Sequence, residues 1–196
     1  MLFSAASDMQ SNRPARRPDH TLSQILGKDL IIRPLTAHDI EAFKAIRLLA
    51  ISDSPSAVWP TADEEAQRTP GEVKARIEQT PVQIVFGAFS GVRLIGVAGL
   101  RRESLVQVAH KATLWGVFVH PEFRHAGIAR QLFTHLREHA LGTGILQIHL
   151  CVNAENARAK KLYQSMGFES FGLEPRAMRV GGRFYDEEHM WLRLDE

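Results

Sequence analysis

Cysteine is almost missing from this 196-residue chain, and its one thiol, Cys151, cannot close an intrachain disulfide. A chain without disulfides suits a reducing compartment. Long apolar runs are missing as well: no stretch approaches the roughly 20 residues that a membrane-spanning helix needs. Met1 to Lys28 lacks the apolar core of a signal peptide. The expectation is a cytoplasmic protein with no membrane partner. Neither sign of charge prevails, since 24 Lys+Arg stand against 22 Asp+Glu. No basic run with interleaved aromatics occurs, which argues against nucleic acid as a partner. The signature G-x-x-x-x-G-K-[ST] is absent, and no G-x-G-x-x-G follows a predicted strand, which excludes a phosphate-binding NTPase.

What is present fits one domain, with 44% hydrophobic residues to build a core. Residues 1–28 read as a flexible leader, rich in Ser, Pro, Arg and Asp up to Asp19 and too poor in apolar residues to order itself. A short helical turn is expected over Thr21 to Leu26. Residues 29–196 read as the single folded domain.

Leu30 to Leu35 reads as a strand that Pro34 confines to an edge or an end. Thr36 to Asp39 then opens a helix, with Ile40, Phe43, Ile46, Arg47 and Ala50 at helical spacing. A loop follows over Ser52 to Pro60, and a second helix runs from Glu72 to Gln79. Gln83 to Phe89 and Arg93 to Leu100 form a hairpin around Ser90-Gly91. Ala109 to Val119 and Ile145 to Val152 are further strands. Asn153 to Met166 is helical, with Asn153 preferred as its N-cap and Gly167 as a left-handed stop. Phe168 to Leu173 and Phe184 to Leu194 complete the order βααββββαβαββ. That order describes an α/β layered fold with a mixed, mostly antiparallel sheet and helices on both faces.

The most informative stretch begins at Leu114. A short apolar run through Val117, Phe118 and Val119 stops at His120-Pro121. The turn Arg124-His125-Ala126-Gly127-Ile128-Ala129 follows, then an amphipathic helix carrying Ile128, Leu132, Phe133, Leu136 and Ala140. Free backbone N–H groups at a helix start sit at the positive end of its dipole and attract phosphate. An ordinary strand-turn-helix, with Gly127 only relieving strain, is the competing reading of this segment alone.

R-x-x-G-x-A in that setting is followed about a strand later by the pattern N-x-x-N-x-x-A-x-x-L-Y-x-x-x-G-F from Asn153 to Phe168. Together they resemble the GNAT superfamily of acyl-CoA-dependent N-acetyltransferases, most strongly over Leu114 to Phe168. The resemblance implies acetyl-CoA as acyl donor, with no metal, and a primary amine as acceptor, small molecule or protein. It implies that backbone N–H groups of Arg124, His125, Ala126, Gly127, Ile128 and Ala129 hold the pyrophosphate, with the Arg124 and Arg130 side chains nearby. The pantetheine arm would pair with the backbone of Val117, Phe118 and Val119 as an added strand, admitted by a splay of the sheet. Asn156 would contact that arm. Tyr163, seven residues on and so on the same helix face, would protonate the departing thiolate. A phenol with a pKa near 10 stays protonated at neutral pH and can still donate to a thiolate.

No general base is assigned. In the branch that acetylates ribosomal-protein N-termini, the resemblance places a Glu five residues before the matching Asn, and this chain has Cys151 there. Glu103, Glu122 and His149 are nearby in sequence only. A covalent route through Cys151 is not expected, because the thiol ends a buried strand and no His-Asp partner stands at a recognisable spacing. The segment Ser54 to Glu65, including Trp59, is expected to wall the acceptor pocket. The acids Asp53, Asp63, Glu64 and Glu65 read as a solvated run. His135 and His139 match H-x-x-E-H, but the buried face of their helix largely excludes them, so a zinc site is not expected. The competing functional class is a catalytically silent acyl-CoA-binding or sensing module. A homodimer is compatible with the sequence.

Overall fold

The computed structural model describes residues 30–195. The leader expected over residues 1–28, with its turn at Thr21 to Leu26, lies outside the described residues. Strand β1, Leu30–Pro34, occupies one edge of the sheet, as Pro34 requires. Thr36 then starts a single 3₁₀ turn through a reciprocal cap with Asp39, and helix α1, Ile40–Asp53, continues from it. Two short helices follow: α2, Ala62–Ala66, capped by Thr61 and Glu64, and α3, Pro70–Ile77, capped by Thr69 and Glu72. Helix α2 is absent from the sequence expectation, since five residues are too few to show a period. The hairpin β2, Gln83–Ser90, and β3, Arg93–Arg102, leads to β4, Lys111–Val119. Helix α4, Ile128–Gly142, precedes β5, Gln147–Asn153; helix α5, Ala157–Gln164, precedes β6, Glu169–Val180, and β7, Arg183–Arg193.

Two expectations need correction. Three strands, not four, stand between α3 and α4, because β3 runs unbroken to Arg102 before the chain leaves the sheet. Helix α5 starts at Ala157 rather than Asn153, and its N-cap is Asn156, whose side-chain oxygen accepts from the Ala159 N–H at 3.0 Å. Asn153 instead ends β5. Its Oδ1 accepts from the Glu155 N–H, and its Nδ2 donates to the Ser56 carbonyl.

The seven strands lie in the order β1-β2-β3-β4-β5-β7-β6, antiparallel except for β4 and β5. Each face of the sheet carries a core. On one face α4 buries Ile128, Leu132, Phe133, Leu136 and Ala140 against Ala98, Leu114, Ile148 and Leu150. Each of the Ile, Leu and Phe side chains among them contributes about 1.5–3 kcal/mol on leaving water. On the other, Phe43, Ile46 and Ala50 of α1 and Val73 and Ile77 of α3 pack on Val85, Val97 and Phe118.

Strand β4 contains the irregularity that matters. Val97 pairs with Phe118, yet Gly99 pairs with Trp115, so β4 carries one extra residue between these pairs. That is a β-bulge, and Gly116 within it has φ +63°, a left-handed conformation that favours glycine. The extra residue reverses the alternation: Ala112 and Leu114 face the α4 side, but Phe118 faces α1. β4 also pairs with β5 only at Lys111–Gln147, Ala112–Ile148 and Thr113–His149. Beyond Thr113 the two strands part, so the sheet is splayed in its middle.

Candidate active site

The chain leaves the splayed end of β4 and reaches α4 through the loop singled out from sequence. His125 and Gly127 both take positive φ there, +67° and +76°. Gly127 is the N-cap of α4 and supplies no side-chain cap. The first turn therefore keeps its N–H groups for an outside acceptor, at the positive end of a 15-residue helix. A Cβ placed on Gly127 would meet nothing within 4 Å, so the space over this turn is open. Ile128 is buried under α4, and Ala126 packs against the same core.

The side chains near the loop are less free than their backbone. Arg124 donates from Nε to the Val119 carbonyl at 3.0 Å, pairs with Asp53, and lies over the Phe118 ring. Arg130 donates to the carbonyl and hydroxyl of Ser165, tying the start of α4 to the end of α5. Both cations brace the loop. The N–H groups of His125 to Ala129, rather than these guanidiniums, are the uncommitted donors; the Arg124 N–H, counted with them from sequence, is taken by the Pro121 carbonyl at 3.4 Å. Val117 and Val119 turn their side chains toward the α4 core and Phe118 toward α1, while β5 pairs with none of the three, and the Val119 carbonyl is held by Arg124 instead.

Tyr163, on α5, packs against the α4-side core with its ring edge-on to Phe168. Burial pushes its phenol up to about 12. The Asn156 oxygen is committed to capping α5, which leaves its amide N–H group as the part able to meet a ligand.

On the opposite face, where β4 and β5 part, a cavity of about 380 Å³ is lined by Arg47, Trp59, Arg76, Trp115, Cys151 and Glu187, among others. Its outer wall, from Ala57 to Pro60, belongs to the segment expected from sequence. Beneath that wall lies a charge cluster that sequence does not reveal. Glu65 is fully buried, accepts from Arg76 Nη1 at 3.0 Å and from Arg68 Nε at 3.3 Å, and faces Arg47. The solvated acidic run expected here is therefore corrected at Glu65. Glu64 caps α2, and Asp53 holds Arg124.

The family model described as the acetyltransferase (GNAT) family matches residues 46–168. The chain belongs to this family. Among curated relatives, an N-alpha-acetyltransferase RimI of Mycobacterium tuberculosis is 35% identical over 96 residues, covering 49% of this chain and 58% of that protein. The chain spans about half the length of the curated relatives it matches, from 41% to 58% for the first three. The fold is shared with an acetyltransferase of the GNAT family from Streptococcus pneumoniae, at a TM-score of 0.75 and 23% identity over 84% of this chain and 99% of that one. It is shared also with YncA, a putative acetyltransferase of Salmonella typhimurium solved with its cofactor acetyl-CoA. That match has a TM-score of 0.72 and 24% identity over 86% of this chain and 96% of that one.

Within this GNAT domain the residues considered as bases separate. Glu122 is a surface partner of Arg93 at 3.0 Å. Glu103 and His149 line a different, smaller cavity of about 190 Å³ beside Lys111. The carboxylate on the wall of the larger cavity is Glu187 of β7, buried and opposite Asn153 in register. Sequence reasoning passes over it because β7 reaches the site only through pairing with β5.

Cys151 also differs from expectation. It is exposed, since β5 buries Ile148, Leu150 and Val152 and turns the alternate positions outward. Its sulfur lies 3.3 Å from His189 Nδ1, and His189 Nε2 lies 3.1 Å from Glu174. A His-carboxylate pair does stand beside the thiol. Even so, partial shielding of the sulfur from water, reinforced by Glu187 and Glu174, pushes the thiol up to about 11. It is held as a protonated thiol, a poor nucleophile. The helical pair His135 and His139 is similarly ordinary: His135 Nδ1 sits 2.9 Å from the Gln131 carbonyl, and its ring packs near Phe86. Among the described residues no group of three or more His, Cys, Asp or Glu is placed to hold a metal ion.

Proposed function

We propose that this GNAT protein transfers an acetyl group from acetyl-CoA to a primary amine by direct attack within a ternary complex. The observation that carries this reading is the splay between β4 and β5, which adjoins an uncapped helix start on the chain leaving β4 and opens onto a cavity beside the bulge. The coenzyme fits these features. Open space over Gly127 lets a pyrophosphate oxygen approach the N–H groups of His125 to Ala129. The free edge of Val117 to Val119 can pair with the pantetheine amides, and the Asn156 amide can donate to the same arm. The thioester then lies in the splay near Gly116.

The proposed acid and base come from opposite faces of the sheet. The amine nitrogen bonds to the thioester carbonyl carbon as the carbon–sulfur bond breaks. Tyr163 gives its hydroxyl proton to the leaving sulfur, and Glu187 takes a proton from the attacking nitrogen; solvent restores both groups. Each proton transfer of this kind is worth about 10²–10⁴ in rate. The names of relatives, including RimI, support N-acetylation as the reaction class. A panel of primary amines incubated with acetyl-CoA, with free thiol release as the readout, tests the reading. Amine-dependent release is the expected result. Tight acetyl-CoA binding with no release from any amine would favour a sensing module.

A further inference from the structure

The acceptor cavity is unbalanced in charge. Of the three guanidiniums around Glu65, Arg76 and Arg68 hydrogen-bond its carboxylate, but Arg47 Nε stops 3.8 Å away, beyond hydrogen-bond range. Arg47 is only 3% exposed, and its Nε has no hydrogen-bond partner. Buried charges are normally paired and hydrogen-bonded, and guanidinium has five donors to satisfy. The head group does reach the cavity: Arg47 lines it, and Nη1 would lie 3.4 Å from a Cβ built on Gly116. Burial lowers its pKa to about 10, which leaves it a cation at neutral pH.

We infer that Arg47 is a carboxylate-binding residue and that the acceptor is a free amino acid, its carboxylate on Arg47 and its amine directed to Glu187. The inference rests on the acetyl-transfer reading proposed above. Guanidinium matches a carboxylate with two parallel donors. The wall bears both signs, with Arg47, Arg76 and Arg101 against Glu187, as a zwitterion requires. A cavity of about 380 Å³ suits a small molecule. The Gly116 contact sets the carboxylate beside the bulge, so the amine reaches the splay when few bonds separate the two groups. A peptide N-terminus offers an amide where the amino acid has its carboxylate, and it leaves Arg47 unmatched.

The test compares three matched sets with the full chain and acetyl-CoA: free amino acids, their carboxamides and the decarboxylated amines. Free acids are expected to exceed both counterparts by about tenfold or more in kcat/KM, the range of a hydrogen bond to a charged group. Arg47→Gln should raise KM for the amino acid, leave acetyl-CoA affinity unchanged and erase the preference for acid over amide. Should that variant fail to fold, the wild-type panel decides alone. Equal use of carboxamides or decarboxylated amines overturns the inference while sparing acetyl transfer. So does failure to acetylate any amino acid in a protein that binds acetyl-CoA by calorimetry. Absence of acetyl-CoA binding instead brings down the underlying reading, and this one with it.

Discussion

Trp59 Nε1 donates a hydrogen bond to Glu187 Oε1 at 3.0 Å, joining the loop after α1 to strand β7 across 128 positions of sequence. The bond aims the carboxylate and holds the outer wall of the cavity, which Asn153 secures a second time through the Ser56 carbonyl. Glu187→Gln keeps an oxygen for Trp59 but cannot take a proton. It is expected to lower turnover by about 10²–10⁴ with acetyl-CoA affinity intact, measured by thiol release and calorimetry. Full turnover would remove Glu187 from the proton path.

At Gly127 the prediction separates binding from folding. A Cβ at Gly127 meets no protein atom within 4 Å, but the Gly127→Val side chain enters the space through which an oxygen would approach, and the φ of +76° is strained for any side chain. The fold should persist with a cost of about 1–3 kcal/mol, and acetyl-CoA affinity should fall sharply. Wild-type affinity in a folded variant would place the phosphate site elsewhere.

Tyr163→Phe should retain acetyl-CoA binding and lose about 10²–10⁴ in turnover. Because the phenol is held up to about 12, it keeps its proton throughout the neutral range. A pH–rate profile should show no loss from Tyr163 until the solution approaches that value. Unchanged turnover in the variant would shift proton supply to solvent.

Cys151 should be silent despite its exposure. With the thiol pushed up to about 11, alkylation by iodoacetamide should be slow at pH 7 and accelerate as pH rises toward that value. Cys151→Ala should leave turnover largely intact, and mass spectrometry after acetyl-CoA alone should show no stoichiometric acetyl-cysteine. A trapped thioester that an amine discharges would make this a ping-pong enzyme, with His189 as the activating base.

A stability prediction follows from Asp39. Two 2.8 Å hydrogen bonds from Arg33, with added donors from Thr36, hold its carboxyl down to about 2. The folded value lies below the unfolded one of about 3.9. The stabilisation is therefore complete above about pH 4 and disappears as pH falls through 2. Asp39→Asn should cost about 1–3 kcal/mol at pH 7, and thermal unfolding should show the two proteins converging in acid.

How much of this could be read from the chain alone differs by element. Helix α4 and its loop are legible because the 3.6-residue period and Gly127 are local signals. The splay belongs to the implications of the resemblance, yet the bulge that reshapes β4 rests on one residue, Gly116, that no period marks. Asn153 and Asn156 both suit a cap, and the choice between them depends on where β5 stops. The Cys151–His189 approach is set by the β5–β7 register, and the burial of Glu65 by three arginines on α1, α3 and the turn between α2 and α3. Such facts belong to pairing and packing rather than to spacing.

The extra residue in β4 gives the strand two halves of opposite phase. Odd-numbered Thr113 and Trp115 look into the cavity on the α1 side, whereas odd-numbered Val117 and Val119 look into the hydrophobic layer beneath α4. A shortening of one residue at Gly116 would put the halves back in step. Val117, Phe118 and Val119 would keep their faces, but the strand would lose the bulge and with it the left-handed Gly116 on the cavity wall. Length at this point, more than the identity of any side chain, is what the strand has to keep.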